Sequence, residues 1–335
     1  MIKNIVLYIL LIAFSFNQEI ISFNSSNPFS FKHIITDLEN QEAQEVYGIL
    51  TLPDSKFKKD KKYPLVIGVA GSNGWGKHHY EYLEMYREIG IATFELKSFA
   101  SRDISSTVGT QIDVTMAMMI LDAYKALDVL SEHENINGNK VAITGWSLGG
   151  GVALIAAWEK LINAINPNNK FVAHLPFYPP CMINPDNIEL NDSPIHIQIG
   201  EIDDWTPASA CENFVNETKT YKNNIGLTVY ENSHHGFDTE EDIVYIDYAY
   251  SFTDCMFDLS EEGVPLMNVL SIPMRSPMLQ KIGFSYCAGK GPSIGGNSIA
   301  RDKAFSFAKT FMSKSILISP NKIHSEQHSS SSGGI

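Results

Sequence analysis

Short apolar runs alternate with longer amphipathic stretches along most of this chain. Residues 63–70 form a continuous apolar run, which is typical of a strand buried on both faces of a parallel sheet. Residues 114–130 carry apolar side chains at helical spacing, which predicts a long helix. The other predicted strands are residues 91–96, 140–144, 171–177, 195–199 and 227–230, and the other predicted helices are residues 79–89, a segment after 147, 215–221 and 298–312. Strands and helices in this alternation form βαβ units, so we predict a doubly wound α/β fold with a mostly parallel sheet.

The two ends of the pattern depart from this alternation. Residues 29–38 and 45–52 alternate or run apolar like edge strands around a polar turn, which predicts an opening hairpin. Residues 238–297 are mixed and partly acidic, and we interpret them as an insertion over the carboxyl edge of the sheet, before the last helix. We therefore predict one domain at residues 24–315 and a disordered, low-complexity tail at residues 320–335.

The N-terminus has the pattern of a signal peptide. Lys3 precedes an apolar run at residues 5–16, and Ala13 and Ser15 are small residues at the spacing that a cleavage site requires. The run is shorter than the roughly 20 residues of a membrane span. We predict a signal peptide at residues 1–17 and a secreted or periplasmic protein without stable membrane insertion, with an uncleaved anchor as the alternative.

Charge narrows the class of partner. The chain has 25 basic and 38 acidic residues among 335, a net charge of −13, which repels phosphate backbones and argues against nucleic acid as a partner. The four cysteines, Cys181, Cys211, Cys255 and Cys287, are an even number in a chain predicted to be exported, so we expect two disulfides. Spacing alone does not choose among the three pairings, and the lack of a Cys-x-x-Cys pair argues against metal binding.

Residues 145–149, Gly-Trp-Ser-Leu-Gly, match the G-x-S-x-G pattern around Ser147. A predicted strand precedes them and a predicted helix follows, which is the context that gives the pattern meaning. The flanking glycines suit a strained turn in which a side chain would strike a neighbouring element. The helix N-terminus beneath the serine favours developing negative charge. We therefore predict that Ser147 is a nucleophile on a strand-to-helix elbow.

A serine nucleophile needs a base that is oriented by a carboxylate. Asp203 and Asp204 follow the predicted strand 195–199, and His234 and His235 follow the strand 227–230. Serine, acid and histidine in this chain order are typical of the α/β-hydrolase fold. The order leaves both acids open, whereas Gly236 favours His235 because it leaves the loop room to approach Ser147.

The loop after the strand 65–69 is the second expected part of an oxyanion hole. Its backbone N–H at Ser72, together with that of Leu148, is our candidate donor pair. Residues 71–77 of the same loop also fit the nucleotide-binding pattern G-x-x-x-x-G-K. His78 follows where a P-loop has the Ser or Thr that ligates Mg²⁺, so a nucleotide binder is only the remote alternative.

Three more side chains are candidates for binding substrate. Arg102 would hold an anionic end of the substrate, or would instead pair with a surface carboxylate. Trp75 and Trp146 lie in or beside the loops of the site and would line an apolar pocket, unless they pack in the core. For Trp205 we expect core packing.

Several motifs together resemble the dienelactone hydrolase family. They are Phe-Tyr-Pro-x-Cys at residues 177–181, Gly-x-x-Asp-Asp-Trp-Thr-Pro-Ala at residues 200–208 with Cys211, His-Gly-Phe-Asp at residues 235–238, and Ser-Phe-x-x-Arg at residues 98–102. The resemblance implies that Asp203 is the acid and His235 the base. It also implies a Cys181–Cys211 disulfide, which leaves Cys255 with Cys287. Founding members of the family have cysteine where this chain has Ser147, which shifts the expected substrate from dienelactones towards general carboxylic esters.

The sequence therefore predicts a secreted serine hydrolase of the α/β-hydrolase fold. Its expected reaction is that of a carboxylesterase on a small ester, through an acyl-enzyme on Ser147, with His235 as base and Asp203 as its orienting acid. No cofactor and no metal are expected. A serine peptidase and an acyltransferase on the same fold remain the alternatives.

Overall fold

A mostly parallel sheet of eight strands forms the centre of the computed structural model, which describes residues 18–57, 62–184, 188–218, 224–267 and 270–317. The strands are β1 (Gln18–Ser26), β2 (Ala43–Thr51), β3 (Tyr63–Val69), β4 (Ala92–Leu96), β5 (Ile136–Trp146), β6 (His174–Phe177), β7 (Ile195–Gly200) and β8 (Ile225–Tyr230). Their order across the sheet is β1-β2-β4-β3-β5-β6-β7-β8. The β1–β2 and β2–β4 pairs are antiparallel, and the other neighbours are parallel. The predicted α/β fold with a mostly parallel sheet is confirmed.

Helices fill the connections between the parallel strands. They are α1 (Phe31–Thr36), α2 (Lys77–Glu88), α3 (Met116–Glu132), α4 (Leu148–Ile155), α5 (Glu159–Ile165), α6 (Ala208–Thr218), α7 (Pro277–Ser285) and α8 (Ser298–Met312). Helix α2 packs against α8, whereas α3 packs against β5 and α4. Helix α3 begins after Thr115, whose hydroxyl accepts the N–H of Met118, and α8 begins after Asn297, which caps Ala300 in the same way.

The N-terminal segment differs from the prediction. Residues 29–38 do not form a strand, because Phe31–Thr36 is helix α1 and buries Phe31 and Ile34, which are three residues apart on one face. The hairpin partner of β2 is β1, paired antiparallel from Gln18↔Thr51 to Ser26↔Ala43. The sheet therefore begins at Gln18, before the domain boundary predicted at residue 24.

The segment 238–297 folds over the carboxyl ends of the central strands. It contains helix α7 and the short strands β9 (Val244–Tyr245), β10 (Tyr250–Ser251), β11 (Gly289–Lys290) and β12 (Ser293–Ile294), which pair as β9–β12 and β10–β11. Its N–H groups at Phe252 and Ser293 donate to the carbonyl of Trp205 at 3.1 Å and to the carboxylate of Asp204 at 2.8 Å. Because Asp204 and Trp205 follow β7, these bonds fix the segment above the sheet edge where the predicted site lies.

Two disulfides join the four cysteines. They connect Cys181 to Cys211 and Cys255 to Cys287, which is the pairing that the family resemblance implies. The first links the segment after β6 to helix α6, and the second lies within the segment 238–297. The predicted signal peptide at residues 1–17 and the predicted tail at residues 320–335 lie outside the described residues. Within the described ranges, no helix has the length and apolar character of a membrane span.

Candidate active site

Ser147 occupies a strained turn between β5 and α4. Its backbone has φ 54° and ψ −117°, which a residue with a side chain rarely adopts. The neighbouring backbones pack so closely that a Cβ at Gly145 would lie 2.1 Å from the carbonyl oxygen of Gly149. A Cβ at Gly149 would likewise lie 2.2 Å from the carbonyl oxygen of Val69. Glycine is therefore required on both sides of the serine for the elbow to form.

The structure brings Ser147, His235 and Asp203 into one chain of hydrogen bonds. The Ser147 Oγ lies 2.9 Å from Nε2 of His235, and Nδ1 of His235 lies 2.8 Å from Oδ2 of Asp203. The acid follows β7 and the histidine follows β8, so neighbouring parallel strands deliver both side chains to the carboxyl edge of the sheet. This is the juxtaposition that the sequence order predicts.

The loop after β7 holds the Asp203 carboxylate on both oxygens. The N–H groups of Trp205 and Thr206 donate to Oδ1 at 2.9 and 2.8 Å. The hydroxyl of Thr206 lies 3.2 Å from Oδ2 and 3.1 Å from the carbonyl oxygen of Tyr178. Sequence analysis included Thr206 in a family motif but assigned it no role, and its contacts identify it as a residue that positions the acid.

Asp204 and His234, the alternatives to Asp203 and His235, make different contacts. The carboxylate of Asp204 accepts the N–H of Ser293 at 2.8 Å, and its carbonyl oxygen accepts the hydroxyl of Ser251 at 2.5 Å. Nδ1 of His234 is buried without a hydrogen-bond partner among the described residues. Asp204 therefore attaches the segment 238–297 to the acid loop, and neither residue joins the chain of bonds to Ser147.

The two expected oxyanion donors lie on either side of the elbow. Leu148 begins helix α4, and Ser72 lies in the loop after β3. A Cβ at Gly71 would lie 3.2 Å from Cβ of Ser147, so this loop passes directly beside the serine. Within the described residues, neither Ser72 nor Leu148 donates its N–H to a protein acceptor. Both N–H groups therefore remain candidate donors to a substrate oxygen bound at Ser147.

A cavity of about 210 Å³ opens beside Ser147 and His235. The loop at residues 71–79 forms one wall, and Val244 and Ile294 of the segment 238–297 form part of the other. His235 is tied to this second wall, because its carbonyl oxygen accepts the N–H of Gly295 at 3.0 Å. The segment 238–297 therefore shapes the pocket and also holds the backbone of the histidine.

The three tryptophans take different places around this cavity. Trp75 lines it, stacks on Tyr80 and donates its indole N–H to the carbonyl oxygen of Leu96 at 3.3 Å. Trp146 also lines the cavity, and its ring, which is fully buried, stacks on that of His79 with centroids 4.3 Å apart. Trp205 is buried in the core, as expected, and it also lines the cavity and packs on the His235 ring at 5.0 Å.

A second polar cluster, which sequence analysis did not identify, flanks the His235 ring. The hydroxyl of Tyr178 donates to Oδ1 of the fully buried Asp238 at 2.9 Å and lies 3.3 Å from Nε2 of His78. Burial, together with the Asp238 carboxylate, raises the pKa of Tyr178 well above its usual value, so the phenol keeps its proton. Burial also lowers the pKa of His79, which stays neutral and accepts the N–H of Gly76 at 3.0 Å. Tyr178 and His79 therefore form an uncharged part of the cavity wall near His235.

Arg102 does not line the cavity, and its predicted role in binding substrate is wrong. Its guanidinium contacts both carboxylate oxygens of Asp122, at 2.7 and 3.1 Å, and Nε donates to Asn27 at 2.8 Å. The Asp122 side chain is fully buried, so the carboxylate is not the surface group of the alternative interpretation either. The arginine joins the N-terminal strand to helix α3 because Asp122 also accepts the hydroxyl of Ser25.

The loop at residues 71–77 lines the cavity beside the serine rather than a separate phosphate site. Its Lys77 is exposed and pairs with Glu81 at 3.3 Å and Glu240 at 2.5 Å. A nucleotide phosphate would meet these carboxylates, which argues against the nucleotide-binding alternative. In the described part of the chain, no group of three or more His, Cys, Asp and Glu side chains is arranged to hold a metal ion.

Comparisons with known proteins agree with this architecture. A sequence model of the dienelactone hydrolase family matches residues 85–253. Among solved structures, m3DLH has a TM-score of 0.55 at 12% identity over 89% of this chain and 99% of that chain. A dienelactone hydrolase-like promiscuous phosphotriesterase from metagenomic libraries has a TM-score of 0.53 at 13% identity, covering 88% and 98%. No curated protein sequence matches the chain.

Proposed function

Because the chain belongs to the dienelactone hydrolase family and is an ester-bond hydrolase, we propose that it is an exported serine carboxylesterase acting through Ser147. The hydrogen-bond path from the Ser147 Oγ through His235 to Asp203, with distances of 2.9 and 2.8 Å, is the observation that carries this proposal. A serine hydroxyl is a weak nucleophile at neutral pH and needs a base that a third group orients. Both partners lie within hydrogen-bonding distance.

In the acylation step, the Ser147 Oγ attacks the ester carbonyl carbon and its proton passes to Nε2 of His235. Asp203 keeps the other ring proton on Nδ1 and stabilises the imidazolium that forms. The carbonyl oxygen becomes an oxyanion, which accepts the N–H groups of Leu148 and Ser72. His235 then gives its proton to the leaving alkoxide as the carbon–oxygen bond breaks, and an acyl-enzyme remains.

In the deacylation step, His235 removes a proton from a water molecule, whose oxygen attacks the acyl carbon. The same two N–H groups donate to the second oxyanion, and the proton returns to the Ser147 Oγ as the acid leaves. Leu148 is the first residue of the eight-residue helix α4, so the helix dipole also favours the negative charge. All the groups that these two steps require are side chains or backbone N–H groups of this chain.

The charges around the cavity support an uncharged ester as the substrate. Glu241 and Asp242 line the cavity, and Lys77 is paired with carboxylates. Arg102 is committed to Asp122 and does not line the cavity. An anionic substrate would therefore meet more negative than free positive charge, whereas a neutral ester would not.

The two disulfides support the proposed export, because such bonds persist in oxidising compartments. Strand β1 begins at Gln18 and pairs with β2 from that residue onward, so removal of residues 1–17 would leave the sheet intact. N-terminal sequencing of the mature protein should find a start at or shortly before Gln18. A mature protein that retains residues 1–17 would contradict the proposed cleavage.

The test of the reaction is the Ser147→Ala variant. We expect it to lower kcat for nitrophenyl acetate by at least about 10⁴-fold without changing the melting temperature appreciably. A fluorophosphonate probe should label the wild-type protein and the matched Ser306→Ala variant, which changes an exposed serine of α8, but not Ser147→Ala. Full activity or labelling in Ser147→Ala would overturn the proposal. Faster cleavage of peptide amides would indicate a peptidase, and ester products from added alcohols would indicate an acyltransferase.

A further inference from the structure

An apolar cavity of about 170 Å³ lies behind the residue that follows the nucleophile. The segment that enters α1, the first turn of α3, residues 180–183 after β6 and the segment 238–297 enclose it, together with Gln111 and Leu148. Its apolar lining includes Phe31, Met116, Ala117, Phe252, Met274 and Phe284. The mechanism described above uses none of these side chains.

Leu148 connects this apolar cavity to the catalytic centre. Its N–H is a proposed oxyanion donor, while its side chain lines the apolar cavity. The two cavities also share walls elsewhere, because Ser72 and Trp205 line the catalytic cavity whereas Gln111 and Phe252 line the apolar one. Ser72 Oγ lies 3.4 Å from Oε1 of Gln111, and Phe252 donates its N–H to Trp205. These two contacts join the walls of the two cavities.

The geometry of the reaction decides which part of an ester faces each cavity. In the tetrahedral intermediate, the leaving oxygen must lie near Nε2 of His235, and the oxyanion must lie between the N–H groups of Leu148 and Ser72. The leaving group then occupies the open cavity, where Gly236, Val244 and Ile294 flank the histidine. The acyl group extends away from His235, towards Leu148 and Gln111.

Resting on the proposed function, we propose that the apolar cavity binds the acyl group of the substrate and that the Gln111 side chain is the partition at its entrance. Gln111 has φ 57°, and its backbone is held by bonds to Thr107 and Gln280, which leaves its side chain as the part that turns aside. An apolar cavity of about 150 Å³ binds a molecule of benzene. The substrate class is therefore esters of apolar acids with about six carbons in the acyl group, such as hexanoates.

The test is a series of nitrophenyl esters from acetate to dodecanoate, which share one leaving group. We expect kcat/KM of the wild-type protein to be at least about tenfold higher for hexanoate than for acetate, since each buried methylene adds favourable binding. The Ala117→Leu and Met274→Trp variants fill the cavity from α3 and from the segment 238–297. Each should remove the preference, so that the ratio of kcat/KM for hexanoate to that for acetate falls to about one. Val129→Phe, on the exposed face of α3, is the matched control and should keep the wild-type profile.

Product inhibition of the wild-type protein tests the same inference if the Ala117→Leu and Met274→Trp variants do not fold. Hexanoate, as a product, should inhibit nitrophenyl acetate hydrolysis competitively at a concentration at least about tenfold lower than acetate does. Equal inhibition by the two acids, or a rate profile that falls steadily from acetate, would overturn this inference. Ser147-dependent acetate hydrolysis would then still support the proposed function. Loss of Ser147 dependence for every ester would overturn both.

Discussion

Asp203 contacts His235 with one carboxylate oxygen and its own loop with the other. Oδ2 lies 2.8 Å from Nδ1 of the imidazole, whereas Oδ1 accepts the N–H groups of Trp205 and Thr206 at 2.9 and 2.8 Å. Rotation of the carboxylate would break all of these bonds together. The acid therefore fixes the ring orientation in which Nε2 faces Ser147.

Replacement of Asp203 by asparagine tests this relationship. We expect Asp203→Asn to fold normally and to lower kcat for nitrophenyl esters by about 10³–10⁴-fold, because the amide does not stabilise the imidazolium and favours the wrong tautomer. Asp204→Asn is the matched control, since its carboxylate accepts only the N–H of Ser293. It should lower kcat less than tenfold. An equal loss in the two variants would contradict the assignment of the acid.

Two substitutions of Ser72 test its backbone N–H as a donor of the oxyanion hole. Ser72→Ala removes the hydroxyl but keeps the N–H, so kcat should stay within about threefold of the wild-type value. Ser72→Pro removes the N–H, and loss of one such donor costs about 10²–10³ in rate. Steady-state kinetics with thermal unfolding as a check on folding would distinguish them. A large loss in the alanine variant would assign the role to the side chain instead.

The buried Arg102–Asp122 pair predicts an effect on stability rather than on substrate binding. Arg102→Met would leave the Asp122 carboxylate buried without its partner, which costs about 3–5 kcal/mol of unfolding free energy. KM should not change. The double variant Arg102→Met/Asp122→Leu should recover much of the loss, and Lys32→Met, which breaks the exposed pair with Glu262, should cost less than about 1 kcal/mol. A rise in KM for Arg102→Met would instead support a role for Arg102 in binding substrate.

His174 predicts a dependence of stability on pH. Burial lowers the pKa of His174 to about 4 from 6.5, while Nδ1 lies 2.8 Å from the carbonyl oxygen of Ala153. Between these pH values the unfolded chain binds a proton that the folded protein does not, so this contribution to stability is complete above pH 6.5 and is lost as the pH falls towards 4. A shift of this size corresponds to about 3 kcal/mol.

Urea unfolding at several pH values would measure this contribution. The unfolding free energy of the wild-type protein should fall more steeply between pH 6.5 and 4 than that of His174→Gln, in which position 174 does not titrate. The difference between the two slopes isolates this histidine from other groups, including His196, whose pKa burial also lowers to about 4. Parallel slopes would show that His174 is protonated in the folded protein.

Patterns along the sequence predicted the centre of the fold better than its edges. The apolar run at residues 63–70 became β3, which is buried on both faces, and such a run is compatible with little else. At the N-terminus, β1 has one exposed face and buries only alternate side chains such as Ile21 and Phe23. Residues 29–38 contain an equally short apolar pattern, and their helical conformation depends on where Phe31 and Ile34 meet the core. Short segments of this kind are decided by tertiary contacts.

The sequence likewise predicted some parts of the candidate site and not others. Ser147, Asp203 and His235 were predictable because each follows a recognisable strand, and parallel strands deliver their carboxyl ends to one edge. Arg102 was misassigned because its partner, Asp122, lies within an amphipathic helix and carries no pattern of its own. The apolar cavity behind Leu148 was also beyond prediction, since its walls come from segments that only folding brings together.

The contact between His235 and β12 can form only after most of the chain has been synthesised. The backbone of His235 pairs with Ile294, and its carbonyl oxygen accepts the N–H of Gly295. Both Ile294 and Gly295 are synthesised about 60 residues after His235. A nascent chain that has emerged only as far as Gly236 contains every proposed catalytic side chain but not the segment 238–297, which holds the histidine. We therefore expect ester cleavage only after β12 has been synthesised and has paired with His235.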